Sequence, residues 1–377
     1  MSNITQASGR AESGPLLEVT DLITHFKTPR GVVRAVDGVS FTLDRGRALG
    51  IVGESGSGKT ILSRSVMGLL PRRGVVKTGS VQFEGQELVG RSVKEMRPFW
   101  GREMSMIFQD PMSSLNPLMR IGDQITEPLK IHLGMPREAA TATAERLLQD
   151  VGIPEAARRL RQYPHELSGG MRQRVMIAIA LACGPTVLFA DEPTTALDVT
   201  VQAQILDLLE EQRKDRNMSL ILVTHDLGVV ANHTDEIVVM YAGRVVEKAP
   251  TRTLFAQMKM PYTEALLKSI PKIDQPSHTR LEAIGGRPPD LVNPPPGCKF
   301  APRCVYAQDR CLTEEPPLIP AGSIDHLYRC WYPVGSEVWQ QVQLKSSGAT
   351  ASTFAAGWAN TGGPSPVVID AGTGGGL

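Results

Sequence analysis

Three short stretches of this chain carry residue types suited to handling a bound anion. In Gly53-Glu54-Ser55-Gly56-Ser57-Gly58-Lys59-Thr60 the glycines let backbone amides close around an oxyanion with no Cβ in the way. Lys59 adds a point charge, and the Thr60 hydroxyl can ligate a divalent cation. The spacing is G-x-x-x-x-G-K-[ST], a phosphate-binding pattern that needs a strand before it and a helix after it. Both are predicted here: the apolar run Ala48-Leu49-Gly50-Ile51-Val52 precedes the loop, and a helix-compatible run follows. In the second stretch, Val187-Leu188-Phe189-Ala190-Asp191-Glu192, four apolar residues predict a buried strand, with two acids at the edge where α/β sheets bind ligands. Asp191 would hold Mg2+, partly through water. Glu192 would polarise an attacking water, since phosphoryl transfer depends mainly on positioning and electrostatics. The third stretch is Leu167-Ser168-Gly169-Gly170-Met171-Arg172-Gln173-Arg174. Ser168 can cap a helix there, Gly169 and Gly170 leave its first amides bare, and the positive end of the helix dipole favours an anion. A chain that already has one phosphate loop needs such a second surface when it reaches toward another subunit's nucleotide.

Weaker signals fall between and around these. His225 follows the apolar run Leu220–Val223 in Thr224-His225-Asp226; Gln109 sits in Met106-Ile107-Phe108-Gln109-Asp110-Pro111; and Phe26 ends a strand-like segment from Leu17. Alone, each reads equally well as a strand end, a turn or core. In this order, and with the three stretches above, the set resembles the ATP-binding-cassette (ABC) ATPases from about Leu16 to Glu247. The resemblance implies an α/β P-loop ATPase core with an antiparallel β subdomain and a helical subdomain. It also implies roles. Phe26 would stack on adenine, Gln109 would sense Mg2+ and water, and His225 would contact the γ-phosphate. Pro193-Thr194-Thr195-Ala196-Leu197-Asp198 looks like the family's D-loop and places Asp198 at the nucleotide. Two cassettes would face head to tail, so that Ser168, Gly169 and Gly170 of one complete the ATP site of the other.

The elements that must position these residues are legible in outline. Residues 1–14 are polar and expected to be disordered, and 15–250 form the ATPase domain. Short alternating strands from Leu17 to Leu43, turning at Thr28-Pro29-Arg30-Gly31, predict the antiparallel subdomain. The pattern turns helical over about 110–170, where Arg137 to Val151 carries Ala140, Ala144, Leu147 and Leu148 on one face. A further helix from Val201 to Gln212 buries Val201, Ile205, Leu208 and Leu209. With 40 Lys and Arg against 39 Asp and Glu, charge gives no case for nucleic acid. The longest apolar run, Val175 to Ala190, is interrupted by Gly184-Pro185 and is too broken to span a bilayer. The start of the chain lacks the basic and apolar regions of a signal peptide. The chain is therefore expected at the cytoplasmic face of the membrane, attached through partners.

Residues 251–345 exceed a minimal cassette. Pro261-Tyr262-Thr263 with Leu266 and Leu267, the run Pro294-Pro295-Pro296-Gly297-Cys298-Lys299-Phe300-Ala301-Pro302-Arg303-Cys304, and the form Gln109-Asp110-Pro111-Met112-Ser113-Ser114-Leu115-Asn116-Pro117 resemble the oligopeptide/dipeptide branch of importer ATPases. The usual His-Pro-Tyr-Thr reads Met260-Pro261-Tyr262-Thr263 here. This extension holds Cys298, Cys304, Cys311 and Cys330, spaced C-x5-C-x6-C-x18-C; Cys183, in the apolar helix, is a small core residue. Four clustered thiols point to a metal rather than disulfides in a cytosolic chain. Zinc favours tighter C-x2-C pairs, and the wider loops suit a [4Fe–4S] cube, a cofactor the resembled branch includes; zinc and reduced thiols stay open. Lys299 and Arg303 are expected to favour thiolates. From 346 the Gly/Ser/Thr/Ala-rich sequence reads as a flexible tail.

The resemblance thus implies ATP hydrolysis energising peptide import, with nickel or glutathione uptake by the same machinery as the alternative. Its partners would be a second, paralogous ATPase subunit, two transmembrane permease subunits and an extracytoplasmic solute-binding protein, and no nucleic acid. A non-transport ATPase of DNA repair would need a long coiled coil between the phosphate loop and Ser168. The roughly hundred residues between them show no sustained heptads.

Overall fold

A computed structural model describes residues 14–71, 73–195, 197–270 and 284–347. The expected disordered start lies outside these residues except for Gly14, as does the tail beyond Ser347; helix Glu337–Ser347 runs two residues into that expected tail. Two sheets organise the chain. The larger has eight strands in the order Ile319–Pro320, Leu327–Tyr328, Arg244–Pro250, Glu236–Tyr241, Ala48–Val52, Ser219–Thr224, Val187–Asp191, Met104–Ile107. The last five are mutually parallel, so their C-terminal ends share one edge. That edge receives Gly53, Glu192, His225 and Gln109.

Why these strands are uniformly apolar follows from where their two faces go. Leu49, Ile51, Val187, Phe189, Ile221 and Val223 point into a core shared with the smaller sheet. Their neighbours Ala48, Val52, Leu188, Ala190, Leu220 and Leu222 point into a second core against helices. A period-2 side-chain pattern with both faces covered leaves no room for polar alternation.

The smaller sheet is antiparallel, in the order Gly31–Leu43, Leu17–Thr28, Val75–Phe83, Gln86–Glu87. Its first hairpin turns at Pro29-Arg30, but the strands are 12 and 13 residues long rather than short. They stay paired over that length by admitting register shifts at Val19/Leu22 and Thr24/His25. On the opposite side, helices Ile121–Leu133 and Arg137–Asp150 pack on Gly169–Leu181, and Ala140, Ala144, Leu147 and Leu148 are buried together as the periodicity predicts. Helix Val199–Asp215 buries Ile205, Leu208 and Leu209, while Val201 is only half-buried because it lies in the first turn beside Gly170. Cys183 falls beyond the last helical residue, Leu181, and is half-buried after the turn begins. No described helix is long and apolar enough to cross a membrane.

Beyond Pro250 the chain has short helices, two-residue strands and irregular backbone, held by contacts with the cassette. Leu327–Tyr328 adds to the large sheet beside Arg244–Pro250. Glu247, completely buried, accepts from the Lys259 and Met260 amides at 2.5 and 3.1 Å and meets His326 Nε2 at 2.9 Å. Asp37 in the small sheet receives Lys299 Nζ at 3.3 Å and Arg244 Nη2 at 2.9 Å. Burial alone would raise the Asp37 carboxyl, but Arg244 and Lys299 outweigh it and hold it at about 2 against an ordinary 3.8. A depressed carboxylate contributes stability that is present above the ordinary value and lost as pH falls through the folded one. The stability gap between the wild type and Asp37→Asn is therefore expected to narrow by about 2 kcal/mol as pH falls from about 6 towards about 2. Denaturant midpoints across that range check this, and a pH-independent gap would contradict it.

Candidate functional site

The Gly53–Thr60 loop leaves strand Ala48–Val52 and enters helix Lys59–Val66. Its glycines are required by space as well as by backbone angle. A β-carbon at Gly53 would come within 2.2 Å of the Met240 carbonyl, and one at Gly58, where φ is +105°, within 2.2 Å of the Ala35 carbonyl. Lys59 is buried and donates from Nζ to the carbonyls of Gly53 at 2.7 Å and Glu54 at 3.1 Å. Gly56 also takes a positive φ, and Ser57 Oγ is buried inside the loop with no hydrogen-bond partner. Ser55 and Gly56 are exposed at the mouth.

Asp191 ends strand Val187–Asp191 fully buried. Its Oδ1 accepts from Thr60 Oγ1 at 3.0 Å, while Oδ2 is buried without a partner. Burial pushes the Asp191 carboxyl up and the Lys59 ammonium down. An orphaned carboxylate oxygen beside a threonine hydroxyl is the donor set that an oxygen-seeking divalent cation takes, so Mg2+ fits Thr60 and Asp191.

Glu192 turns out of the strand with φ +46°, a left-handed conformation that a non-glycine residue adopts at a cost of order 1 kcal/mol or more. The turn aims its carboxylate at the other candidates. Oε2 accepts from Gln109 Nε2 at 3.1 Å and Thr195 Oγ1 at 3.0 Å and lies 3.4 Å from His225 Nδ1; Oε1 is 3.8 Å from Lys59 Nζ. The hydrogen bond with His225 holds the Glu192 carboxyl below its ordinary range and lifts the His225 ring above its own. Four side chains from four strand ends thus converge on one carboxylate. Thr195 is the member that sequence reasoning did not single out; its only signal was its place three residues after Glu192.

Phe26 lies inside strand Leu17–Thr28, two residues before its end, and is half-buried. Ser168 caps helix Gly169–Leu181 by accepting from the Met171 amide at 3.3 Å, and Asp198 caps Val199–Asp215 by accepting from Val201 at 2.9 Å. These two helix starts adjoin: a β-carbon at Gly169 would sit 3.9 Å from Leu197 Cδ2, and one at Gly170 3.3 Å from Val201 Cγ1. Among the described residues, neither start hydrogen-bonds the Gly53–Thr60 loop.

Cys298, Cys304, Cys311 and Cys330 line one small, mostly apolar cavity with Phe300, Tyr306 and Trp331. The chain is drawn tight there: Cys298 N donates to Cys311 O at 2.8 Å, and a β-carbon at Gly297 would come within 2.3 Å of that same carbonyl. The expected help from neighbouring cations is corrected. Arg303 and Lys299 pair with Glu54 and Asp37 instead, and burial together with the other thiols pushes Cys304 up to about 12. Among the described residues no group of three or more His, Cys, Asp or Glu side chains stands at single-ion spacing. What joins the four sulfurs is this shared cavity, which they line together with aromatic and apolar side chains.

The fold agrees with what comparison with known proteins finds. A family model described as "ABC transporter" matches residues 36–195, and one described as "Oligopeptide/dipeptide transporter, C-terminal region" matches 246–311. The oligopeptide transport ATP-binding protein OppD of Bacillus subtilis (strain 168) is 51% identical over 317 residues, which is 84% of this chain and 88% of that protein. The dipeptide transport ATP-binding protein DppD of Escherichia coli (strain K12) is 48% identical over 319 residues, 85% of this chain and 97% of its own. In structure, the post-hydrolysis dimer of the ATP-binding cassette MJ0796 bound to ADP and Pi superposes with a TM-score of 0.57 at 26% identity, covering 63% of this chain and 99% of that one. With a phosphate loop, paired strand-end carboxylates and a cysteine-bearing extension in one chain, this protein belongs to the ABC transporter ATPases, in the group of oligopeptide and dipeptide transport ATP-binding proteins.

Proposed function

We propose that this chain hydrolyses ATP to ADP and phosphate and couples that reaction to import of oligopeptides or dipeptides through a membrane transporter. The observation that carries the hydrolytic part is the convergence of Gln109, Thr195, His225 and Lys59 on Glu192. The peptide class rests on the similarity to oligopeptide and dipeptide transport proteins, which favours it over nickel or glutathione.

In this reading Phe26 stacks on the adenine ring, and the Gly53–Thr60 amides cradle the phosphates with Lys59 swung from its carbonyl partners to the β/γ-phosphates. Mg2+, held by Thr60 and Asp191 with Gln109 beside it, would neutralise charge on the β- and γ-oxygens. Glu192 orients a water and accepts its proton as the water oxygen bonds to the γ-phosphorus and the bond to the ADP oxygen breaks. His225 holds the γ-phosphate from the neighbouring strand end. Ser168, Gly169, Gly170 and Asp198 stand apart from this chain's own loop and would face the nucleotide of a second, paralogous ATPase subunit. Two permease subunits and an extracytoplasmic solute-binding protein complete the assembly, with this chain peripheral at the cytoplasmic face of the membrane. Cys298, Cys304, Cys311 and Cys330 would hold a [4Fe–4S] cluster that pins the extension.

Glu192→Gln is expected to retain Mg-ATP while hydrolysing it at least about 100-fold more slowly, the size of losing one transition-state contact. Turnover and nucleotide binding in the assembled transporter check this; near wild-type turnover would remove Glu192 from the role. For the thiols, anaerobically purified protein is expected to contain close to four irons per chain, as one cube requires. Serine at any of the four positions should lower that content and Cys183→Ser should not. One zinc per chain without iron would overturn the cluster.

A further inference from the structure

We propose that the loop Cys298–Cys304 clamps the nucleotide site from both sides, with Arg303 positioning the phosphate loop through Glu54 and Lys299 positioning the base-stacking strand through Asp37. The first arm is the better built. The Arg303 side chain is 3% exposed and grips Glu54 in a two-pronged pair, Nη1 to Oε2 at 2.6 Å and Nη2 to Oε1 at 2.8 Å. Its remaining donors are also engaged: Nε gives to Gly285 O at 2.8 Å and Nη1 to Tyr241 Oη at 3.2 Å. The backbone of the same loop residue is held too, because Glu54 N donates to Tyr262 Oη at 2.8 Å. Tyr241, Tyr262 and Phe300 pack ring against ring, with centroids 4.6 to 5.3 Å apart, and the guanidinium lies over Tyr241 and Phe300. The second residue of the phosphate loop is therefore fixed at side chain and backbone by residues more than two hundred positions away.

On the other side, Lys299 Nζ reaches Asp37 Oδ2, while Asp37 Oδ1 meets His25 Nε2 at 3.1 Å, and His25 directly precedes Phe26. The Arg34 amide donates to Leu291 O at 3.1 Å, and a β-carbon at Gly31 would come within 2.6 Å of Val292 Cγ1. A planar guanidinium in a fork with a carboxylate fixes orientation as well as distance, which a point charge cannot do. Cutting the fork should loosen the loop before nucleotide arrives and leave the groups around Glu192 in place. The expected signature is weaker ATP binding with intact chemistry at saturation.

The proposal rests on the Gly53–Thr60 loop being the ATP site and needs no metal at the thiols. In the full-length chain, Arg303→Met and Glu54→Gln are each expected to raise KM and the Mg-ATP dissociation constant at least about fivefold, with kcat changed less than about twofold, the lower range for coupled sites. Arg303→Lys should fall between wild type and Arg303→Met. Adding Arg303→Met to Glu54→Gln should give little beyond either alone. Because Glu54 is partly exposed, its variant keeps the test open even where Arg303→Met fails to fold. Unchanged KM in Glu54→Gln, additive effects in the double variant, or a KM rise confined to molecules that have lost metal would each overturn the proposal. Failure of the underlying reading is distinguishable, since Lys59→Ala would then leave ATP binding intact.

Discussion

Two carboxylates side by side at the end of one buried strand are the constraint around which this structure is arranged. Asp191 and Glu192 cannot both sit there charged unless cations and donors meet each of them separately. The backbone separates their directions: Asp191 points into the sheet edge toward Thr60, and Glu192, turned by its positive φ, points across the edge toward Gln109, Thr195, His225 and Lys59. Parallel strands make this possible, because only they bring the C-terminal ends of Ala48–Val52, Met104–Ile107, Val187–Asp191 and Ser219–Thr224 to a single edge.

Much of that site was legible in the sequence for a local reason. Each of these residues lies within two positions of a run of three to five apolar residues, so reading the strands also read the positions of Gly53, Gln109, Asp191, Glu192 and His225. The helix start at Ser168 was equally readable, since capping is a property of adjacent residues, whereas the helix capped by Asp198 begins at Val199, ahead of the expected Val201. What local pattern could not supply was the partner of a residue far along the chain. Glu54 meets Arg303, Asp37 meets Lys299, and Glu247 meets His326, and none of these pairs has a period or a spacing. One faint signal existed: Asp37 and Glu247 are lone acids inside apolar strand sequence, and a buried acid needs a partner somewhere. The reading of Lys299 and Arg303 as companions of the thiols failed for the same reason. Adjacency in sequence to Cys298 and Cys304 says nothing about which way a long side chain turns.

The extension has little core of its own. Its short elements are held by the thiol-lined cavity on one side and by buried polar pairs with the cassette on the other, with Glu247 and Asp37 as the cassette's contributions. Such pairs add little net stability over apolar packing, but once formed they tolerate few alternative arrangements. Polar contacts also tie the extension to the Gly53–Thr60 loop and to the strand that pairs with the one carrying Phe26, which is the bracing we propose for the nucleotide site.

The division of labour between the two carboxylates is the central claim, and manganese in place of magnesium reads it directly. Electron paramagnetic resonance can follow Mn2+ retained with ATP on wild-type, Asp191→Asn and Glu192→Gln chains. Metal held by Asp191 and Thr60 predicts retention at least about tenfold weaker in Asp191→Asn, the order expected for a lost charged metal contact, with Glu192→Gln close to wild type. Equal retention in all three chains, or loss in Glu192→Gln alone, would contradict it.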